Sequence, residues 1–171
     1  LVGSEMCIRD SIIPAFNEEE SIKPLVNLIF KNLDKNLEDF EIILIDDGSN
    51  DKTWDEIVKI SNKFENIVSI KLLENYGKSD ALDAGFKVCK GNYVLTMDAD
   101  LQDDPSEILP LYSMIIENKY DLVSGWKKKR NDPLTKTIPS KFFNLVTRLF
   151  SGIKLNDFNC GIKIYLSLIH I

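Results

Sequence analysis

The run Asn92-Tyr93-Val94-Leu95-Thr96-Met97-Asp98-Ala99-Asp100-Leu101-Gln102 changes character halfway, and the change decides the fold. After Asn92, residues 93–97 are apolar, β-branched or aromatic, the composition of a short buried strand. Carboxylates follow at once. Asp104-Pro105-Ser106-Glu107 then carries helix-start chemistry. Asp104 is the expected N-cap, Pro105 takes the first helical position and Glu107 closes a capping-box-like pair. The helix presents Ile108, Leu111, Tyr112 and Ile115 on one face. A strand feeding a helix through a polar turn is the repeating unit of an α/β sheet with parallel strands.

The same alternation extends in both directions. Toward the N-terminus, residues 11–14 read as a first strand. Glu18-Glu19-Glu20 read as the acidic first turn of a helix whose apolar positions are Ile22, Leu25, Val26, Ile29 and Leu33. Residues 40–45 form a buried second strand that stops at Asp46-Asp47-Gly48-Ser49-Asn50-Asp51, which is loop chemistry. Trp54, Ile57 and Val58 mark a short helix, and residues 67–73 a third strand. Ala81, Leu82, Gly85, Val88 and Cys89 give a small-residue helix suited to close packing on the sheet. Toward the C-terminus, residues 121–125 form a fifth strand and the basic stretch 126–139 a loop. Phe142, Leu145, Val146, Leu149 and Phe150 lie on one helical face, and residues 159–165 form a last strand.

At 171 residues with 44 % hydrophobic and 28 % charged side chains, the chain fits one domain with one core. The expected domain is residues 11–165. Residues 1–10 and 166–171 fit none of the pattern and resemble translated sequencing-adaptor read-through; a frayed native terminus is the alternative. The net charge of −6 supplies no basic field for nucleic acid. No run approaches the roughly 20 apolar residues of a membrane span, and no secretory signal is expected. Three scattered cysteines suggest a reducing compartment rather than a disulfide framework. The one histidine, His170, excludes a zinc site built on several histidines and argues against a Ser-His-Asp or Cys-His nucleophile.

In open α/β sheets, ligands bind at the carboxyl ends of the strands. The unusual polar residues converge there: Asn17-Glu18, Asp46-Asp47, Asn75-Tyr76-Gly77-Lys78 and Asp98-Ala99-Asp100. Side chains two apart on an extended chain share a face. Asp98, Asp100 and Gln102 therefore project together if the strand runs on past Met97. Two carboxylates and an amide oxygen are hard ligands suited to Mg²⁺ or Mn²⁺; alone, the same residues also read as a solvated acidic turn. Asp46-Asp47-Gly48-Ser49 serves either as a turn whose Ser49 or Asp51 caps the next helix, or as a carboxylate for a nucleobase or ribose. Lys78 is either an exposed turn lysine or a phosphate contact. The run Lys127-Lys128-Lys129-Arg130 is either a solvated loop or an anion site. Trp126 reads as a packing residue. The 142–150 stripe is core or, being amphipathic and basic, membrane-facing.

Taken together, Ile13-Pro14-Ala15-Phe16-Asn17-Glu18, Asp46-Asp47-Gly48-Ser49, Asn75-Tyr76-Gly77-Lys78 and Asp98-Ala99-Asp100-Leu101-Gln102, in that order, resemble glycosyltransferase family 2. Gly125-Trp126 with the basic residues after it, and Asp157-Phe158-Asn159-Cys160-Gly161, resemble its branch of dolichol-phosphate mannosyltransferases and bacterial polyprenyl-phosphate glycosyltransferases. The resemblance implies a GT-A, Rossmann-like αβα sandwich with a mostly parallel sheet, incomplete at its C-terminal end. It implies that Pro14, Phe16, Glu18 and Asp47 surround the nucleoside, with Phe16 standing where a tyrosine is common. Asp98, Asp100 and Gln102 would hold Mg²⁺ or Mn²⁺, and Lys78 would face the phosphate or sugar. The implied partners are a UDP- or GDP-sugar donor and a lipid-phosphate acceptor, at the cytoplasmic face of a membrane. Lys127 and Arg130 would serve the acceptor, and Asp157 would be the base for a hydroxyl acceptor. Transfer to a glycan hydroxyl, a Mg²⁺-binding phosphoacceptor signalling domain and an inactive fragment are the alternatives.

Overall fold

The computed structural model describes residues 9–33, 40–126, 146–147, 149–150 and 160–167. Six strands form one sheet: β1 (Arg9–Ala15), β2 (Phe40–Asp46), β3 (Ile67–Lys71), β4 (Tyr93–Thr96), β5 (Leu122–Ser124) and β6 (Lys163–Leu166). Their order is β3-β2-β1-β4-β6-β5. The first four pair in parallel, while β6 runs antiparallel to both β4 and β5. Among the described residues, helices α1 (Ile22–Asn32), α2 (Thr53–Ser61), α3 (Lys78–Val88) and α4 (Ile108–Asn118) lie in the crossovers between strands. The expected αβα sandwich with a mostly parallel sheet is the observed architecture.

The layers follow from the two-residue side-chain period of the strands. Ile13, Ile42, Leu44, Leu95 and Met97 face the side covered by α1, α2 and α4. Ile12, Ile43, Ile45 and Val94 face the opposite side, where Ala81 and Cys89 belong to the α3 layer. Strand β2 is buried at six of its seven positions, as a strand covered on both faces must be.

Several boundaries differ from the sequence expectation. Strand β1 begins at Arg9 rather than Ser11, because its pairing with both β2 and β4 extends to that residue. Asp10 is buried there and accepts hydrogen bonds from the amides of Lys90 and Gly91. Strand β6 extends to Leu166, and the Ser167 amide donates to the Asn92 carbonyl at 2.7 Å. Glu18-Glu19-Glu20 precede α1 instead of forming its first turn. The Glu18 and Glu19 amides donate to Thr53 and Asp51 across the loop, which holds them out of the helix. Helix α3 starts at Lys78 with Gly77 as its N-cap, and α4 is entered through a 3₁₀ turn, Pro105–Glu107. The Asp104 carboxylate caps that turn by accepting from the Ser106 amide at 2.9 Å. The 142–150 helical face, the remainder of the 126–139 loop and the outer flanks 1–8 and 168–171 lie outside the described residues, apart from 146–147 and 149–150.

The small-residue character of α3 is explained by contact. A Cβ on Gly85 would stand 2.4 Å from Ile12 Cγ2 and 3.2 Å from Ile45 Cδ1. Only a residue without a side chain lets the helix backbone rest on β1 and β2. Gly85→Val should therefore overpack this face, at a cost of about 1–3 kcal/mol. A domain of this size should then melt roughly 2–10 °C lower. Circular dichroism melting measures it, and an unchanged Tm would mean that α3 does not sit this close to the sheet.

Candidate active site

The sheet reverses its winding between β1 and β4: β2 and β3 lie on one side of β1, and the chain returns on the other. A crevice opens at the strand ends of such a switch point. It is present here as an open cavity of about 410 Å³ lined by Pro14, Ala15, Phe16, Glu18, Asp47, Asn75, Gly77, Lys78, Asp98, Ala99 and Asp100. Four sequence segments that are distant along the chain thus meet in one place.

Two networks build the walls. In the first, the β1 and β2 loops are zipped together. The Asn17 amide donates to Ser49 Oγ and the Asn50 amide to Asn17 Oδ1, each at 2.9 Å. The Glu18 amide donates to Thr53 Oγ1 at 2.7 Å, and the Lys52 amide to Glu19 Oε2 at 2.9 Å. Asn17 adopts a left-handed φ of 56°, a conformation asparagine tolerates better than most side chains. Ser49 is therefore committed to Asn17. Asp51 lies one residue before the Lys52 N-cap of α2 and accepts from the Thr53 amide with Oδ1 at 2.9 Å.

In the second network, Asp47 holds the β3–α3 loop. Its Oδ1 accepts from the Tyr76 amide and its Oδ2 from the Gly77 amide, both at 3.0 Å. Each carboxylate oxygen keeps a second lone pair for a ligand. Gly48 permits the approach: its φ is +67°, and a Cβ there would lie 2.3 Å from the Glu74 carbonyl carbon. The clamp delivers the start of α3 to the rim of the cavity, with the positive end of its dipole there. Lys78, its first residue, forms an ion pair with Asp98 Oδ1.

The acidic segment is not the extended strand that the two-residue spacing suggests. Strand β4 stops at Thr96, and Leu101 turns to a φ of 60°. The Gln102 amide donates to Asp100 Oδ1 at 3.0 Å, closing a turn. Asp98 and Asp100 line the cavity and Gln102 does not. Lys127, Lys128, Arg130 and Asp157 lie outside the described residues. Trp126 is 54 % exposed.

Two residues given no role by the sequence reading stand directly behind Asp98. A Cβ on Gly161 would lie 2.6 Å from Asp98 Oδ2 and 2.4 Å from Asp103 Oδ2. Asp103 is buried at 4 % exposure. It sits one residue before a helix cap, where an acid attracts no notice, and Gly161 is brought in from a different part of the chain.

The donor chemistry fits a hard divalent cation. Among the described residues no three His, Cys, Asp or Glu side chains group tightly enough to hold a metal by themselves. Mg²⁺ is ordinarily held by one or two carboxylates together with substrate phosphates, not by an all-protein cage. Asp98 and Asp100 at the edge of an open cavity suit that mode, and the Lys78 ammonium on Asp98 marks a place where positive charge is stabilised.

The layers, the strand order and the switch-point cavity define a protein of the GT-A class. The chain belongs to glycosyl transferase family 2, whose model matches residues 10–167. It is 36 % identical over 156 residues to the dodecaprenyl-phosphate galacturonate synthase of Rhizobium johnstonii, covering 90 % of this chain and 46 % of that protein. It is 35 % identical over 155 residues to the undecaprenyl-phosphate 4-deoxy-4-formamido-L-arabinose transferase of Pseudomonas syringae, with 90 % and 46 % covered. The chain thus spans a little under half the length of these relatives. A Pyrobaculum calidifontis mannosyltransferase in complex with GDP-Man and Mn²⁺ superposes with a TM-score of 0.68 at 19 % identity, over 93 % of this chain and 44 % of that one. The UDP complex of glucosyl-3-phosphoglycerate synthase from Mycobacterium tuberculosis gives 0.68 at 20 %, over 93 % and 56 %. These likenesses establish the fold.

The loop zipper gives a pH-dependent expectation. Burial raises the Asp51 pKa, but hydrogen bonds from the Thr53 hydroxyl and from the Thr53 and Glu19 amides outweigh it, so the net shift is downward. A carboxyl held below its unfolded value stabilises fully at neutral pH, and the contribution fades as pH falls through the depressed value. Asp51→Ala, which removes the acceptor of the Thr53 and Glu19 amides, should cost about 1 kcal/mol at pH 7, a fall in Tm of roughly 2–4 °C. Melting curves of both proteins should converge as the pH drops below the ordinary aspartate range. A gap that persists undiminished at low pH would show that the charge is not what Asp51 contributes.

Proposed function

We propose that this chain carries the donor-binding half of an inverting glycosyltransferase that moves a sugar from a UDP- or GDP-sugar to a polyprenyl phosphate. The supporting observation is the single cavity in which Pro14, Phe16, Glu18, Asp47, Lys78, Asp98 and Asp100 meet. Residues 11–165 would be the catalytic domain. Phe16 and Pro14 offer apolar contact to the nucleoside, and Asp47 and Glu18 offer it acceptors. Lys78 and the start of α3 would face the diphosphate. Asp98 and Asp100 would hold Mg²⁺ or Mn²⁺.

The chemistry follows from where charge develops. Cleavage of the sugar–phosphate bond leaves negative charge on the nucleoside diphosphate. A divalent cation stabilises such charge as a Lewis acid. Lys78 can add its own charge once it exchanges Asp98 for a phosphate oxygen. The acceptor assignment draws on the polyprenyl-phosphate names of the relatives. A phosphate acceptor is already largely ionised near neutral pH, so it needs no general base. Asp157 would take that role only for a glycan hydroxyl. Lys127, Lys128 and Arg130 would contact the acceptor phosphate. No helix among the described residues is long and apolar enough to cross a membrane; work at the cytoplasmic face of a membrane, in cell-envelope glycan synthesis, belongs to the same proposal.

The donor half is testable without an acceptor. UDP or GDP with Mn²⁺, at about 100 times its dissociation constant, should stabilise the protein by roughly 2.7 kcal/mol. That corresponds to a rise in Tm of order 5–10 °C, reversed by a chelator. Asp100→Ala should lose this Mn²⁺-dependent rise while melting normally without ligand. If neither nucleotide shifts Tm at millimolar concentration with Mn²⁺, the donor assignment fails. For the acceptor, alanine at Lys127, Lys128 and Arg130 together should raise the KM for a polyprenyl phosphate in an enzyme active toward it, with donor KM unchanged. An equal loss toward both substrates would place these cations beside the nucleotide instead.

A further inference from the structure

Asp98 uses its two oxygens differently. Oδ1 meets Lys78 on the cavity side. Oδ2 turns away, toward the backbone at Gly161, where the Asp103 carboxylate also arrives. A Cβ at that position would stand 2.4 Å from Asp103 Oδ2, 2.6 Å from Asp98 Oδ2 and 2.9 Å from Asp98 Cγ. Such separations are well inside van der Waals contact, so any side chain at 161 must displace one carboxylate or both.

The backbone at 161 has little freedom to yield. The Thr96 hydroxyl donates to the Gly161 carbonyl at 3.4 Å, and the Gly125 amide donates to the Ile162 carbonyl at 3.0 Å. Ile162 and Cys160 on either side are buried. Strand β6 follows directly and is bonded on both edges, to β4 and β5. Asp103 is enclosed as well, so the group most able to move is Asp98 itself.

We propose that Gly161 is a positioning residue for Asp98, and that Asp103, seated against the same point, completes the support that sets the direction of the Asp98 carboxylate. The bare backbone at 161 lets Oδ2 rest behind the cavity and leaves Oδ1 presented to the cation and Lys78. This rests on the donor assignment made above. It adds that the metal-binding geometry is set from the segment that enters β6, and that the Asp103 charge strengthens cation binding without touching the ligand.

The test is a Mn²⁺ titration at saturating UDP or GDP, whichever the wild type binds, read by the electron paramagnetic resonance signal of free Mn²⁺. The wild-type titration decides the donor assignment by itself, and the variants decide the role of Gly161. Gly161→Ala should weaken Mn²⁺ binding about 10–100-fold, the usual effect of losing the support of a ligand. Gly161→Ala should cost less affinity in an Asp103→Ala background than in the wild type, because the nearer of the two contacts is gone. Asp103→Asn should weaken Mn²⁺ binding several-fold with Tm not lowered, and it remains informative if the alanine at 161 prevents folding. Gly125→Ala serves as the structural control. Its Cβ would press on the same segment, 2.6 Å from Ile162 Cγ2 and 3.0 Å from Cys160 Sγ, and its nearest neighbours are not carboxylates, so Mn²⁺ affinity should hold. Wild-type Mn²⁺ affinity in both Gly161→Ala and Asp103→Asn would overturn the proposal. So would an equal loss in Gly125→Ala, or an alanine at 161 that costs the same affinity with Asp103 present as with Asp103→Ala.

Discussion

The Asp47 carboxylate bound to two consecutive amides is the contact on which the rest of the site depends. A hydrogen bond to a charged group contributes about 1.5–3 kcal/mol, and here two of them converge on Tyr76 and Gly77 from one side chain. Their effect is positional. They hold the loop after β3 against the end of β2 and so fix where α3 begins. Lys78 then lies within reach of Asp98, which comes from β4 on the other side of β1. Gly48 makes the clamp sterically possible and Asp47 makes it favourable. Neither residue is sufficient without the other.

A second constraint acts one strand further on. The Asn17–Ser49–Asn50 exchange and the Thr53 and Asp51 contacts tie the β1 loop to the start of α2. These bonds use side-chain oxygens to satisfy amides that no strand or helix reaches, which is the general requirement for polar backbone at the edge of a core. The outcome is a rigid floor on which Pro14 and Phe16 are presented to the cavity.

The elements and the parallel layering were legible because strong periods repeat: apolar runs at β2 and β4, and i, i+3, i+4 spacing at α1 and α4. So was the convergence of Glu18, Asp47, Lys78 and Asp98, since strand ends in an open α/β sheet share one edge. What stayed hidden is local backbone geometry. Nothing in the letters of residues 98–102 announces the left-handed Leu101 that ends the extended spacing and turns Gln102 away from the cavity lining. Asp103 beside a helix cap and Gly161 in a distant turn carry no periodic signal at all. They acquire meaning only through a contact between residues far apart in sequence. The antiparallel insertion of β6 was equally invisible, because four residues of strand read the same in either direction.

That insertion has a consequence for the order of assembly during synthesis. Strands β1 to β4 emerge first and are all mutually reachable through their helices. Strand β5 follows them, yet its partner in the sheet is β6, which is made later and must enter between β4 and β5. Until it does, the flank of β4 stays open and no backbone stands behind Asp98. A nascent chain therefore holds every residue that lines the cavity before the backbone behind Asp98 arrives, and among the described elements that support comes last, with β6.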